Sequence, residues 1–213
     1  MILGAGPGLG QALANCFCRE GFHVFLVARD KGRLDDQVEA LSRKGYTASS
    51  IVCDLTKPEQ LVQMCTRFME KHEAPDILVY NAFRRLAGTA PDMELDDTIN
   101  VFNVNVWGAV RTVQFFYPGM KKRGHGTILV TGGGAAIDLW PELVPLGMSK
   151  AALRNYCLNL AETAIKDGVH VATVTICGHI RAGGRYDPGE IAEVYLSLHR
   201  QTPDFWQGEY LFK

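Results

Sequence analysis

Met1, Ile2 and Leu3 run directly into Gly4-Ala5-Gly6-Pro7-Gly8-Leu9-Gly10. Glycines at alternate positions let a chain turn tightly and bring backbone N–H groups close to a ligand. Between a strand and the first turn of a helix, those N–H groups and the helix dipole favour an anion. The spacing therefore reads as a pyrophosphate cradle, provided a strand precedes it and a helix follows. A second group of polar residues closes the next apolar run, Leu26-Val27-Ala28-Arg29-Asp30. A carboxylate at such a strand end accepts a ribose 2′-hydroxyl, whereas a guanidinium grips a 2′-phosphate. Here Ala28 stands where the acid is expected and Arg29 follows it, so a phosphorylated dinucleotide is favoured. Asp30, one residue on, keeps the unphosphorylated one as the alternative.

These residues need elements to hold them, and the apolar pattern supplies a scheme. Strands are expected near Met1–Leu3, His23–Ala28, Ala48–Val52, Ile77–Tyr80, Thr127–Thr131, Val169–Ile176 and Glu209–Phe212. Helices are expected near Leu9–Glu20, Gly32–Lys44, Pro58–His72, Asp96–Lys121, Ser149–Asp167 and Pro188–Arg200, with Asp187 as N-cap and Pro188 at the first helical position. Continuously apolar strands suit a sheet covered on both faces. Their alternation with helices predicts right-handed βαβ units and a three-layer doubly wound parallel sheet. One domain over residues 1–213 suits the length. The first strand, central in this architecture, has only three residues before the glycines; it is unusually short or the sequence begins late.

Composition excludes several partner classes. Apolar residues make up 47% of the 213, charged residues 21%, and the net charge is −1. No basic run points to nucleic acid or an anionic membrane. No apolar stretch reaches the ~18 residues of a bilayer span, and no basic n-region marks a signal peptide. Cys16, Cys18, Cys53, Cys65, Cys157 and Cys177 lack metal-ligand spacing. They read as buried free thiols, with the cytoplasm as the expected compartment and no metal.

The glycine spacing resembles the short-chain dehydrogenase/reductase family, whose fold is of the Rossmann type, and the resemblance runs along essentially the whole chain. It implies that Gly4, Gly6, Gly8, Leu9 and Gly10 bind the dinucleotide, with NADP(H) favoured through Arg29 and NAD(H) less so. The aspartate that contacts adenine matches Asp54 in Cys53-Asp54-Leu55. The family's N-N-A-G matches at Asn81 and Ala82, but Phe83 replaces the last glycine and must pack against the cofactor or obstruct it. Asn105, in Asn103-Val104-Asn105-Val106-Trp107-Gly108, matches the catalytic asparagine. Lys150, in Leu146-Gly147-Met148-Ser149-Lys150, matches the catalytic lysine. Gly178 keeps the glycine that follows the sixth strand. A helix asparagine and a solvated lysine are the bland alternatives for Asn105 and Lys150.

The departures are concentrated on one side of the reaction. The family's substrate-orienting serine falls on Gly133 and its proton-donating tyrosine on Leu146. No tyrosine lies between Tyr117 and Tyr156 to replace it. The nicotinamide-clasping threonine is also missing from Cys177-Gly178-His179-Ile180-Arg181-Ala182. His179, Tyr186, Asp138 and Thr131 are the remaining candidates for a rebuilt proton relay. The expectation is an oxidoreductase-like NADP(H) binder for an unknown carbonyl or enoyl substrate; the alternative is a non-catalytic NADP(H)-binding sensor or scaffold. Family members commonly assemble as homodimers or homotetramers, which the resemblance carries over.

Overall fold

The computed structural model describes Met1–Lys213. Its strands are β1 (Ile2–Leu3), β2 (Val24–Ala28), β3 (Ala48–Val52), β4 (Ile77–Tyr80), β5 (Gly126–Thr131), β6 (Val169–Ile176) and β7 (Glu209–Phe212). They form one parallel sheet in the order β3-β2-β1-β4-β5-β6-β7. The helices are α1 (Leu9–Arg19), α2 (Lys31–Ser42), α3 (Pro58–Met69), α4 (Leu95–Phe102), α5 (Gly108–Arg123), α6 (Val144–Ala164) and α7 (Pro188–His199).

The apolar strands bury both faces, as their composition requires. In β5, Ile128 and Val130 join one core with Leu61 and Phe68 of α3, Phe116 of α5 and Leu153 of α6. Leu129 points the other way, into a second core with Leu13 of α1, Leu34 of α2 and Tyr195 of α7. The same alternation sends Leu3 and Ile2 of β1 to opposite cores. This is the expected three-layer doubly wound sheet. The strand order reverses between β1 and β4, and in such sheets ligands bind in the crevice beyond the strand ends at that switch. The turns after β1, β4, β5 and β6 converge there.

Two expectations need correction. The stretch Asp96–Lys121 is not one helix: a π-helical segment, Asn103–Trp107, separates α4 from α5. Its cause lies in β4. The fully buried Tyr80 hydroxyl donates to Val104 O at 2.5 Å, which widens the turn. A Cβ on Gly108 would lie 2.2 Å from that hydroxyl, so only glycine fits. The helix expected from Ser149 begins earlier, at Val144, with Pro145 in its first turn. Asp187 caps α7 as expected, accepting from the Gly189 N–H at 2.7 Å.

Candidate functional site

The phosphate turn is shaped by two close approaches. Gly4 has φ of +88°, and a Cβ there would lie 2.4 Å from the Ala82 nitrogen. A Cβ on Gly10 would lie 2.7 Å from Gly4 O, so α1 can sit this close to the turn only without side chains. Asn81 locks the junction by donating from Nδ2 to Gly4 O at 2.9 Å. Gly8, at φ +85°, opens α1 with no side-chain cap. The N–H groups of Gly8, Leu9 and Gly10 donate to no oxygen of the chain. Nothing lies within 4 Å of a Cβ placed on Gly6 or Gly8. The result is an open, donor-lined concavity at a helix N-terminus, which suits an anion.

At the end of β2, Arg29 is exposed and forms no ion pair, so its guanidinium is free. Asp30 is spent locally: it accepts from the Arg33 N–H at 3.1 Å and pairs with the Arg33 side chain at 3.3 Å. It is therefore the N-cap of α2. Asp54 turns inward on Thr56, accepting from its N–H at 3.0 Å and its hydroxyl at 2.8 Å. Partial burial raises the Asp54 pKa, but these bonds and the Arg29 and Lys57 charges leave it below the ordinary value. Leu55 packs its side chain on the core beside it, as does Ala82.

The second cluster surrounds Lys150. Its side chain is buried, and Nζ donates to Thr131 O at 2.7 Å. The Phe83 ring centroid lies 5.7 Å from the same Nζ. Burial lowers the Lys150 pKa to about 8, against an opposing influence from Cys157. Asn105 is fully buried. Its Oδ1 accepts from the Arg84 N–H at 2.6 Å, while Nδ2 donates to Arg84 O at 3.1 Å and to Ser149 Oγ at 2.9 Å. Asn105 therefore fastens the loop after β4 to α6. The π-segment aims it there, and Ser149, which the spacing did not single out, completes the bond set by donating to Leu146 O at 2.9 Å.

Gly133 and Leu146, where the resemblance implies a serine and a tyrosine, have well-defined surroundings. Gly133 has extended backbone, and a Cβ there would sit 3.8 Å from Lys150 Cγ and Cε, ordinary contact. Leu146 is buried with Ala135 and Leu143, and Trp140 packs against them.

Two of the relay candidates spend their hydroxyls inside the protein. Thr131 Oγ1 donates to Asn81 Oδ1 at 2.8 Å and lies 2.7 Å from the Tyr195 hydroxyl, facing the α7 layer rather than Leu146. The Tyr186 hydroxyl donates to Cys177 O at 2.9 Å. Its ring lies on Gly178, where a Cβ would be 2.1 Å away, so Tyr186 braces the loop after β6. Asp138 is exposed, in a turn whose Asp138 N–H bonds Gly134 O. His179 is likewise exposed, and its side chain bonds no protein group. All six cysteines are free, and only Cys177 is not fully buried. No group of three or more metal-ligating side chains forms, and no helix is long and apolar enough to cross a membrane.

Known proteins share this architecture. The mouse dehydrogenase/reductase SDR family member 4 is 29% identical over 171 residues, covering 78% of this chain and 61% of that protein. The chain therefore spans less than two thirds of that relative. Human 17-beta-hydroxysteroid dehydrogenase type 1 is 31% identical over 186 residues, 84% of this chain and 56% of that protein. A metagenomic short-chain oxidoreductase solved in complex with NADP superposes with a TM-score of 0.90 at 26% identity, covering 99% of this chain and 94% of that one. The family model for short chain dehydrogenases matches residues 1–183. The chain belongs to the short-chain dehydrogenase family.

Proposed function

We propose that this protein binds NADP(H) and is an oxidoreductase of an unknown carbonyl or enoyl substrate, working without the family's serine and tyrosine. The observation that carries this is asymmetry. The cofactor side is open at Gly4–Gly10 and Arg29 and keeps a buried Lys150, while the proton-donor positions hold Gly133 and Leu146.

In this reading the free N–H groups of Gly8, Leu9 and Gly10 take the pyrophosphate, with Gly6 leaving space for it. Arg29 takes the 2′-phosphate, because Asp30 is committed to capping α2. Asp54, Leu55, Asn81 and Ala82 shape the adenine side and the floor of the cleft, and Gly178 borders its far end. The cofactor, when bound, supplies or accepts a hydride. Lys150 orients its ribose through Nζ. Asn105 acts at one remove, by holding the Arg84 backbone and Ser149. With leucine at 146, this reading gives proton transfer to Lys150 Nζ, whose pKa burial lowers to about 8.

A second reading, a non-catalytic NADP(H)-binding sensor or scaffold, is favoured by one specific observation. Asn105, Ser149, Thr131 and Tyr186 all spend their polar atoms inside the protein. Assembly as a homodimer or homotetramer is part of the proposal. Leu153 and Cys157 are core residues, but Ile99 and Trp107 stand about half exposed along α4 and the π-segment. Fluorescence titration with NADPH and NADH tests the binding claim: neither cofactor binding below millimolar sinks both readings. Turnover on a carbonyl and enoyl panel separates them, since a rate no higher than buffer leaves only the non-catalytic one.

A further inference from the structure

We infer that Phe83 is a displaceable gate that occupies the Lys150 subsite and competes with the nicotinamide half of the cofactor. The inference rests on the cofactor reading above. Phe83 is 59% exposed, a high value for so large an apolar side chain. Its specific partner is the Lys150 ammonium, 5.7 Å from the ring centroid, within cation–π range. Nζ carries three donors and has one oxygen acceptor, Thr131 O. The ring face thus stands in for the oxygens that a buried ammonium otherwise needs. A ribose hydroxyl that bonds Nζ from the side the ring covers displaces it.

The loop allows the exchange. Asn105 pins both the N–H and the carbonyl of Arg84, so the backbone is fixed one residue from the ring. The exposed side chain can rotate about this fixed point without disturbing the core. The phosphate turn and Arg29 have no part in the contact, so the adenosine half binds without displacing the ring. Phe83 therefore penalises the dinucleotide selectively.

The test compares NADPH with adenosine 2′,5′-bisphosphate, by calorimetry, on the wild type, Phe83→Leu and Phe83→Ala. Leucine keeps apolar bulk and loses the aromatic face. Removing a cation–π contact between a buried ammonium and a largely exposed ring corresponds to roughly two- to thirty-fold in affinity. NADPH should bind about tenfold tighter to both variants on that scale, with adenosine 2′,5′-bisphosphate unchanged. Weaker NADPH binding in the variants, or an equal change for both ligands, overturns the gate. Failure of adenosine 2′,5′-bisphosphate to bind the wild type sinks the cofactor reading instead. The gate is then decided without cofactor, by mass-spectrometric mapping of Lys150 acetylation by acetic anhydride. Faster acetylation of Lys150 in both variants supports the ring as its cover, and an unchanged rate overturns it.

Discussion

Replacing Asn105 by alanine isolates the claim that this residue is a structural clamp. The side chain is fully buried and makes three hydrogen bonds, two to the Arg84 backbone and one to Ser149 Oγ. Each contributes about 1 kcal/mol net, and the partners left behind are buried or half-buried, so Asn105→Ala should cost about 3 kcal/mol. Ser149→Ala removes one of those bonds and its own bond to Leu146 O, and should cost about 1–2 kcal/mol. Urea unfolding followed by circular dichroism measures both. With a slope of about 2–3 kcal/mol per molar for a domain of this size, the Asn105→Ala midpoint should fall by about 1–1.5 M. Releasing Arg84 also frees the segment that carries Phe83, so Lys150 acetylation should rise in parallel. A loss below about 1 kcal/mol would refute the clamp, because the Arg84 N–H and carbonyl lose their partner and the Ser149 oxygen its donor, which cannot be so cheap at that depth.

Three other outcomes are expected. Gly4→Ala forces a Cβ against the Ala82 backbone at positive φ; it should destabilise by at least ~2 kcal/mol and abolish NADPH binding, read by thermal melts and titration. The double variant Gly133→Ser with Leu146→Tyr should gain carbonyl reductase activity, on the order of 10²-fold over the parent in kcat/KM, since the serine meets only ordinary contacts with Lys150; no gain over parent would mean the rest of the pocket has diverged. Acid should destabilise the fold through His170 and His199, both held below the usual histidine pKa by burial, with their mutual charge adding to the effect at His199. The unfolded chain takes up these protons first, so stability should fall as pH drops below about 6.5 and continue down to the lowered folded values; a flat urea midpoint between pH 7 and 5.5 would contradict it.

The local pattern was enough to find much of this. Continuous apolar runs such as Val169–Ile176 and Ile77–Tyr80 are strands because both faces are covered, and their burial shows it. The glycine turn was legible because Gly4 and Gly10 answer to constraints of backbone geometry that no other residue meets. The resemblance puts the family's tyrosine position at Leu146 through its spacing to Lys150, and its serine position at Gly133 through its place at the end of the fifth strand.

What sequence could not decide was where polar atoms spend their bonds. Asp30 and Thr131 were open candidates until the fold gave one to Arg33 and the other to Asn81 and Tyr195. Asn105 matched a motif, but its purpose depends on a π-segment imposed by Tyr80, a residue more than twenty positions away. Phe83 stood beside Ala82 in sequence with two opposite readings, and only the tertiary approach of Lys150 sets its ring against an ammonium. Composition and periodicity, being local, fixed the strands and the turn of this protein. Hydrogen-bond partners and the Phe83–Lys150 contact are long-range, so they appear only when the sheet brings the strand ends together.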